Sequence, residues 1–190
     1  MNLSIQSLTV SQITPALFAG FVRRQQVKRC WRKESGRWVL KDIAFLDDWS
    51  PADYTHLLQK LRAILLSGGA VLAAFDGGVL AGFVGGVKLR WFLAGFAAVT
   101  NEPFGPAEEY LQLSELNVSQ PLRGQGIGRE LFRLACEQAR TRGAQKLYLS
   151  AHSAEETQAF YRAMGCVEAA WYHPELLALE PCDCQMEFLL

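Results

Sequence analysis

The residues best suited to chemistry lie between positions 110 and 166. In Val118-Ser-Gln-Pro-Leu-Arg123-Gly124-Gln125-Gly126-Ile127-Gly128-Arg129, a strand-like run ends, three glycines follow at alternate positions and a helical pattern begins. Bare backbone N–H groups at a helix N-terminus, reinforced by the helix dipole, make an anion site. Glycine lets that backbone approach a phosphate closely, and Arg123 and Arg129 add positive charge. The P-loop spacing is absent, since no Gly-Lys-Ser/Thr occurs there. Gly-x-Gly-x-Gly also departs from the dinucleotide fingerprint, which belongs at the start of a nucleotide domain. Two polar residues stand out nearby. Glu115 sits inside an apolar strand, where a carboxylate costs several kcal/mol unless paired or hydrated, and it is a candidate base. Tyr161 falls on the buried stripe of a helix, where its hydroxyl needs a partner.

The elements that must position these residues are legible around them. Residues 110–118 alternate as a strand. Ile127, Leu131, Leu134, Ala135 and Ala139 have helical spacing, and Gly143 sits where a C-cap glycine belongs. Residues 146–151 read as a strand. Ser153-Ala-Glu-Glu156 has the form of a capping box opening a helix through Phe160, Tyr161 and Met164 that Gly165 ends. Residues 166–171 and 182–190 read as closing strands. Upstream, residues 3–10 suit a short strand, and Thr14-Pro15 opens a helix with Leu17, Phe18, Phe21 and Val22 as its stripe. A basic run follows (Arg23, Arg24, Lys28, Arg29, Arg32, Lys33); a solvated helix face and loop is the commoner explanation, with a nucleic-acid grip or a place beside an anionic cofactor left open by the sequence. Ser50-Pro51 caps a second helix with Leu57, Leu58, Leu61, Ile64 and Leu65 buried. Two strands, 70–75 and 79–89, meet at Asp76-Gly77-Gly78, a hairpin signal. Residues 90–109 form a long aromatic connection. Strands that first pair antiparallel and later alternate with helices define a mixed α/β or α+β class.

Composition narrows the function classes. The 190 residues are half hydrophobic and one-fifth charged, the balance of a globular protein of one domain. Nineteen basic and nineteen acidic residues cancel, so no global field favours nucleic acid or an anionic membrane. No apolar run approaches the ~20 residues of a membrane span, and the first residues lack the pattern of a signal peptide. With five irregularly spaced cysteines, the expected compartment is cytoplasmic. Cys182-Asp183-Cys184 lacks the ligand spacing of a structural zinc site, so no metal is expected.

Arg123-x-x-Gly126-x-Gly128 after the strand resembles the pyrophosphate loop of the GNAT superfamily of acyl-CoA-dependent N-acetyltransferases. Ala159-Phe160-Tyr161-Arg162-Ala163-Met164-Gly165-Cys166 is similar to that family's Phe-Tyr-x-x-x-Gly-Phe signature. The resemblance covers residues 111–167, and within the superfamily it is nearest to bacterial small-molecule acetyltransferases, distantly those of streptothricin. It implies a single domain over 1–190: an acceptor-side half (1–109), an acetyl-CoA core (110–170) and a closing strand (171–190). The implied fold is a central, mostly antiparallel, V-shaped sheet flanked by helices and splayed between its fourth and fifth strands. Leu116, Asn117 and Val118 then pair with the pantetheine arm. Arg123, Gly124, Gln125, Gly126, Ile127, Gly128 and Arg129 cradle the pyrophosphate. Tyr161 protonates the departing thiolate, and Glu115 takes the amine proton. The family's asparagine seven residues before the tyrosine is Ala154 here, with Ser153 as a partial substitute, and Cys166 replaces the final Phe. Acetyl-CoA is the co-substrate and a small cationic amine the acceptor. Asp47, Asp48, Glu102, Glu108 and Glu109 supply the acidic surroundings. The resemblance also implies a possible homodimer. Two other functions suit the same residues: a non-catalytic acyl-CoA-binding module, and an acetyltransferase of protein lysines or N-termini.

Overall fold

The computed structural model describes residues 2–88 and 110–190. The expected connection over 90–109, with Glu102, Glu108 and Glu109, lies outside them.

A seven-stranded sheet forms the frame, in the order β1-β4-β5-β6-β7-β9-β8. Its strands are β1 (Leu3–Ser7), β4 (Ala70–Asp76), β5 (Val79–Lys88), β6 (Tyr110–Val118), β7 (Lys146–Ala151), β8 (Val167–Glu168) and β9 (Cys184–Leu189). A separate hairpin pairs β2 (Arg24–Glu34) with β3 (Arg37–Asp48). Among the described residues four helices pack around the sheet: α1 (Pro51–Leu66), α2 (Ile127–Thr141), α3 (Glu155–Ala163) and α4 (Pro174–Leu179). The class is the expected mixed α/β with a mostly antiparallel sheet.

Alternation along β4 explains how both faces are covered, because successive strand residues point to opposite sides. Val71 and Ala73 join Leu57, Leu61 and Ile64 of α1, while Leu72 and Ala74 join Ile127, Leu131 and Phe132 of α2. Burial of each large apolar side chain contributes roughly 1.5–3 kcal/mol. The Asp76-Gly77-Gly78 turn is as expected, with φ of +57° and +87° at the glycines, a geometry that suits a tight hairpin.

The sheet opens at its centre. β6 pairs β7 in parallel only where Tyr110, Leu111 and Gln112 face Lys146, Leu147 and Tyr148. Beyond Gln112 the ladder between the two strands stops, so the β7-facing edge of β6 is unpaired among the described residues. On the other side β6 stays bonded to β5 up to Val118, with a register shift that leaves Ser114 unopposed. Such bulges are common beside active sites because they re-aim neighbouring side chains.

Several expectations are corrected here. The helix expected from Thr14 is one 3-10 turn, Pro15–Phe18, after which Gly20 at φ +83° redirects the chain. The basic run is strand β2 rather than helix and loop. Several of its charges form intramolecular pairs: Arg23, just before the strand, with Asp47, Arg24 with Asp48, Arg29 with Glu155 and Lys33 with Glu168. The expected capping box at Ser153 does not form, because Ala154 occupies the N-cap of α3 and no side chain caps it. Only Val167–Glu168 of residues 166–171 is strand, and α4, capped by the His173 ring, interrupts the closing segment. Cys182 is exposed and precedes β9, so only Cys184 packs inward. Among the described residues no helix is long and apolar enough to cross a membrane.

Candidate active site

The loop after β6 is built to leave amides free. A 3-10 turn, Gln120–Leu122, leads to Arg123, whose Nε donates to the Val118 carbonyl at 3.1 Å and ties the loop to its strand. Gly124 and Gly126 then take φ of +76° and +85°, which side-chain-bearing residues rarely adopt. Gly126 is the N-cap of α2, and the first intrahelical bond runs from the Glu130 amide to the Gly126 carbonyl at 3.0 Å. The amides of Ile127, Gly128 and Arg129 therefore have no helical acceptor and point past the helix start. Burial, and then the neighbouring Arg23 charge, lower the pKa of the Arg123 guanidinium. A partly desolvated cation beside free amides suits an anionic ligand.

The splay and this loop border one cavity of about 930 Å³. Of the expected site residues, Glu115, Leu116, Asn117, Val118, Arg123, Gly124, Gly126, Ile127, Gly128, Arg129 and Tyr161 all line it. Two do not. Gln125 is exposed and its amide leans back towards the Pro121 carbonyl, so only its backbone belongs to the loop. Ser153 is buried behind the wall, where its carbonyl accepts from Trp31 N–H at 2.8 Å.

Tyr161 is 6 % exposed and packs edge-on to Phe160 and Phe132. Burial raises its pKa well above the ordinary tyrosine value, and the neighbouring Cys166 and the Glu115 carboxylate act in the same direction. The phenol therefore holds its proton across the neutral range. Behind it, burial pushes the Cys166 thiol up to about 12, which leaves the sulfur unreactive. The cysteine at the last signature position is packing.

Glu115 heads a polar chain that crosses elements. Its Oε1 accepts from Lys60 Nζ at 2.7 Å and its Oε2 from Asn117 Nδ2 at 2.9 Å. Asn117 Oδ1 accepts from Arg23 Nε at 3.0 Å, and Arg23 Nη2 donates to Asp47 at 2.7 Å. The Arg23 guanidinium also lies 5.4 Å from the Trp49 ring. The carboxylate cost expected for Glu115 is thus offset by Lys60 from α1, a partner that helical periodicity alone does not point to. Asp47 is spent on Arg23, while Asp48 sits at the surface near Arg24.

The opposite arm contributes residues that sequence reasoning missed or set aside. His152, in the loop between β7 and α3, lines the cavity. Its Nδ1 accepts from the Ala154 amide at 3.1 Å, and burial lowers its pKa, against the pull of Asp47. Ser150, Glu180 and Asp183 complete this wall. Among the described residues no group of three His, Cys, Asp or Glu is placed to hold a metal ion.

A family model described as the acetyltransferase (GNAT) family matches residues 37–166. The chain belongs to this family, and it is an acetyl-CoA-dependent acyltransferase. No curated protein matches it by sequence. Among solved structures, nourseothricin acetyltransferase aligns over 100 % of this chain and 99 % of its own, at 16 % identity and a TM-score of 0.66. A candidate streptothricin acetyltransferase from Bacillus anthracis, solved with acetyl coenzyme A, gives 14 % identity, the same coverage and a TM-score of 0.67. An aminoglycoside acetyltransferase from an uncultured soil metagenomic sample covers 90 % of this chain and 96 % of its own, at 19 % identity and a TM-score of 0.56. At these identities the likeness is one of fold.

Proposed function

We propose that the protein transfers the acetyl group of acetyl-CoA to the primary amine of a small cationic molecule, by direct attack in a ternary complex. One observation carries this: a single cavity joins the free amides after Gly124, the unpaired edge of β6, the Tyr161 hydroxyl and the Glu115 carboxylate. Bound there, the thioester supplies an electrophilic carbonyl and a thiolate leaving group. Leu116, Asn117 and Val118 hold the pantetheine arm as an added strand, and Arg123 with the amides of residues 124–129 holds the pyrophosphate.

Lys60 and Asn117 each occupy one oxygen of Glu115, and each carboxylate oxygen keeps a further lone pair. Glu115 takes the ammonium proton through these, by way of water. The amine nitrogen bonds to the carbonyl carbon, the carbon–sulfur bond breaks, and Tyr161 gives its proton to the sulfur. The fit of a small acceptor is supported by the β2–β3 hairpin, which straps the two arms together. Arg23 ties it to Asn117 on one side, while Arg29–Glu155 and Trp31 N–H to the Ser153 carbonyl tie it on the other. The five free cysteines suit action in the reducing cytoplasm.

The test is thiol release from acetyl-CoA against polyamines, aminoglycosides, streptothricin, amino acids and short peptides, with wild type and Tyr161→Phe in parallel. Turnover of a small amine that collapses in the variant is the expected result. Turnover of peptides alone, or acetyl-CoA binding without turnover of any amine, would overturn it.

A further inference from the structure

Pairing the charges that line the cavity leaves unmatched, among the described residues, two arginines at the loop, Glu156 on α3, and a pair of adjoining carboxyls. Midway, Arg23 is matched by Asp47 and Lys60 by Glu115. At the loop, Arg123 and Arg129 have no carboxylate partner among the described residues, which suits a pyrophosphate. At the other end, Asp183 and Glu180 lie side by side, the Asp183 amide donating to the Glu180 carbonyl at 3.0 Å. Neither carboxylate is paired with a cation among the described residues, although Asp183 is only 8 % exposed. Ser150 Oγ donates to Asp183 at 3.5 Å and the Ser153 backbone also hydrogen-bonds its carboxyl, but neither supplies a positive charge, and burial lowers the pKa of the neighbouring His152. Burial and the Glu180 charge push the Asp183 carboxyl up to about 7. Two adjoining carboxyls without a cation are a standing cost to the fold, and both face the cavity that takes the acceptor.

We infer that the Asp183–Glu180 pair is the subsite for a second cationic group of the acceptor, a diamine or polyamine whose reacting amine sits at Glu115 and Tyr161. This rests on the proposed acetyltransferase function and adds the acceptor's charge pattern to it. The far ammonium supplies the cation that the pair lacks. Glu115 lies across the opening on β6, and Tyr161 on α3 lines the same cavity, so one acceptor molecule spans from the reacting centre to the pair.

The test compares kcat/KM for short α,ω-diamines with n-alkylamines of equal length, using wild type, Asp183→Asn and Glu180→Gln. Wild type should favour the diamine by at least about tenfold at one chain length, the size of effect a desolvated charge pair gives. Each variant should erase most of that ratio through KM. Glu180 is exposed, so its variant keeps the test alive if Asp183→Asn folds poorly. Equal kcat/KM for diamine and monoamine in wild type overturns the subsite alone, as does a ratio that both variants leave intact. Absence of turnover with every amine overturns the acetyltransferase proposal beneath it.

Discussion

The two ends of the cavity are made from different materials. The loop end is backbone: free amides and positive-φ glycines packed into a few consecutive residues between Arg123 and Arg129, with two cations beside them. The acceptor end is side chains, drawn from β2, β3, α1, β6, β7 and the α4–β9 corner. A backbone site suits a ligand part that never changes, because any sequence able to fold the loop presents the same amides. A side-chain site can be retuned one residue at a time without disturbing the frame. Between the two ends sit Glu115 and Tyr161, where both ligands must meet.

The most damaging way to separate the ends is to remove the proton donor between them. Tyr161→Phe should lower kcat by about 10²–10⁴ while leaving acetyl-CoA affinity, measured by calorimetry, near that of wild type. The hydroxyl makes no hydrogen bond to the described residues, so its loss leaves nothing else unpaired. Unchanged kcat would move the proton donor elsewhere in the cavity.

A smaller effect separates the ends by stability. Asp183 holds its proton more tightly folded, at about 7, than unfolded, at the ordinary value of 3.8. Between those values the native state binds more protons than the unfolded one, so stability falls as pH rises through the window. Asp183→Asn cannot titrate and should escape that loss, gaining roughly 2–4 kcal/mol relative to wild type above pH 7. Near pH 4 the difference should vanish. Urea melts at the two pH values measure it, and equal pH slopes in both proteins would refute the strain assigned to the pair. No such dependence is expected from the loop end, whose charges are arginines.

The same contrast explains what the sequence revealed. The loop end is local, so Gly124, Gly126, Arg123 and the helix start could be placed from spacing alone. So could α1, whose Ser50–Asp53 capping box is present, and the Gly77-Gly78 hairpin. The acceptor end is not local: Lys60 meets Glu115 across 55 positions and Arg23 meets Asn117 across 94. The β2–β3 hairpin is hard to see in the sequence for a further reason. Its buried residues in β2, Val27 and Cys30, are three apart, a helical spacing. The register shift between Val27 and Arg29 lets both turn inward from a strand. Only the Ser35-Gly36 turn, with φ of +48° and +80°, carried a hairpin signal.

The finest test stays within the loop and asks which glycines serve the fold and which serve the ligand. A Cβ on Gly126 would meet nothing within 4 Å, yet φ there is +85°, so Gly126→Ala is strained whatever the room. It should cost roughly 1 kcal/mol of stability and weaken acetyl-CoA as the loop shifts. Gly128 is the reverse: its φ is ordinary, and an added Cβ would lie 3.5 Å from the Phe160 ring and 3.6 Å from Val118, both normal contacts. The chain itself does not require glycine at 128, and alanine forms helix more readily by up to 1 kcal/mol. Gly128→Ala should therefore melt at or slightly above wild type while binding acetyl-CoA several-fold more weakly, because the methyl fills the approach to the amides. If both properties hold at wild-type values, the close approach of a phosphate at Gly128 is wrong, and the pyrophosphate must lie nearer Gly124.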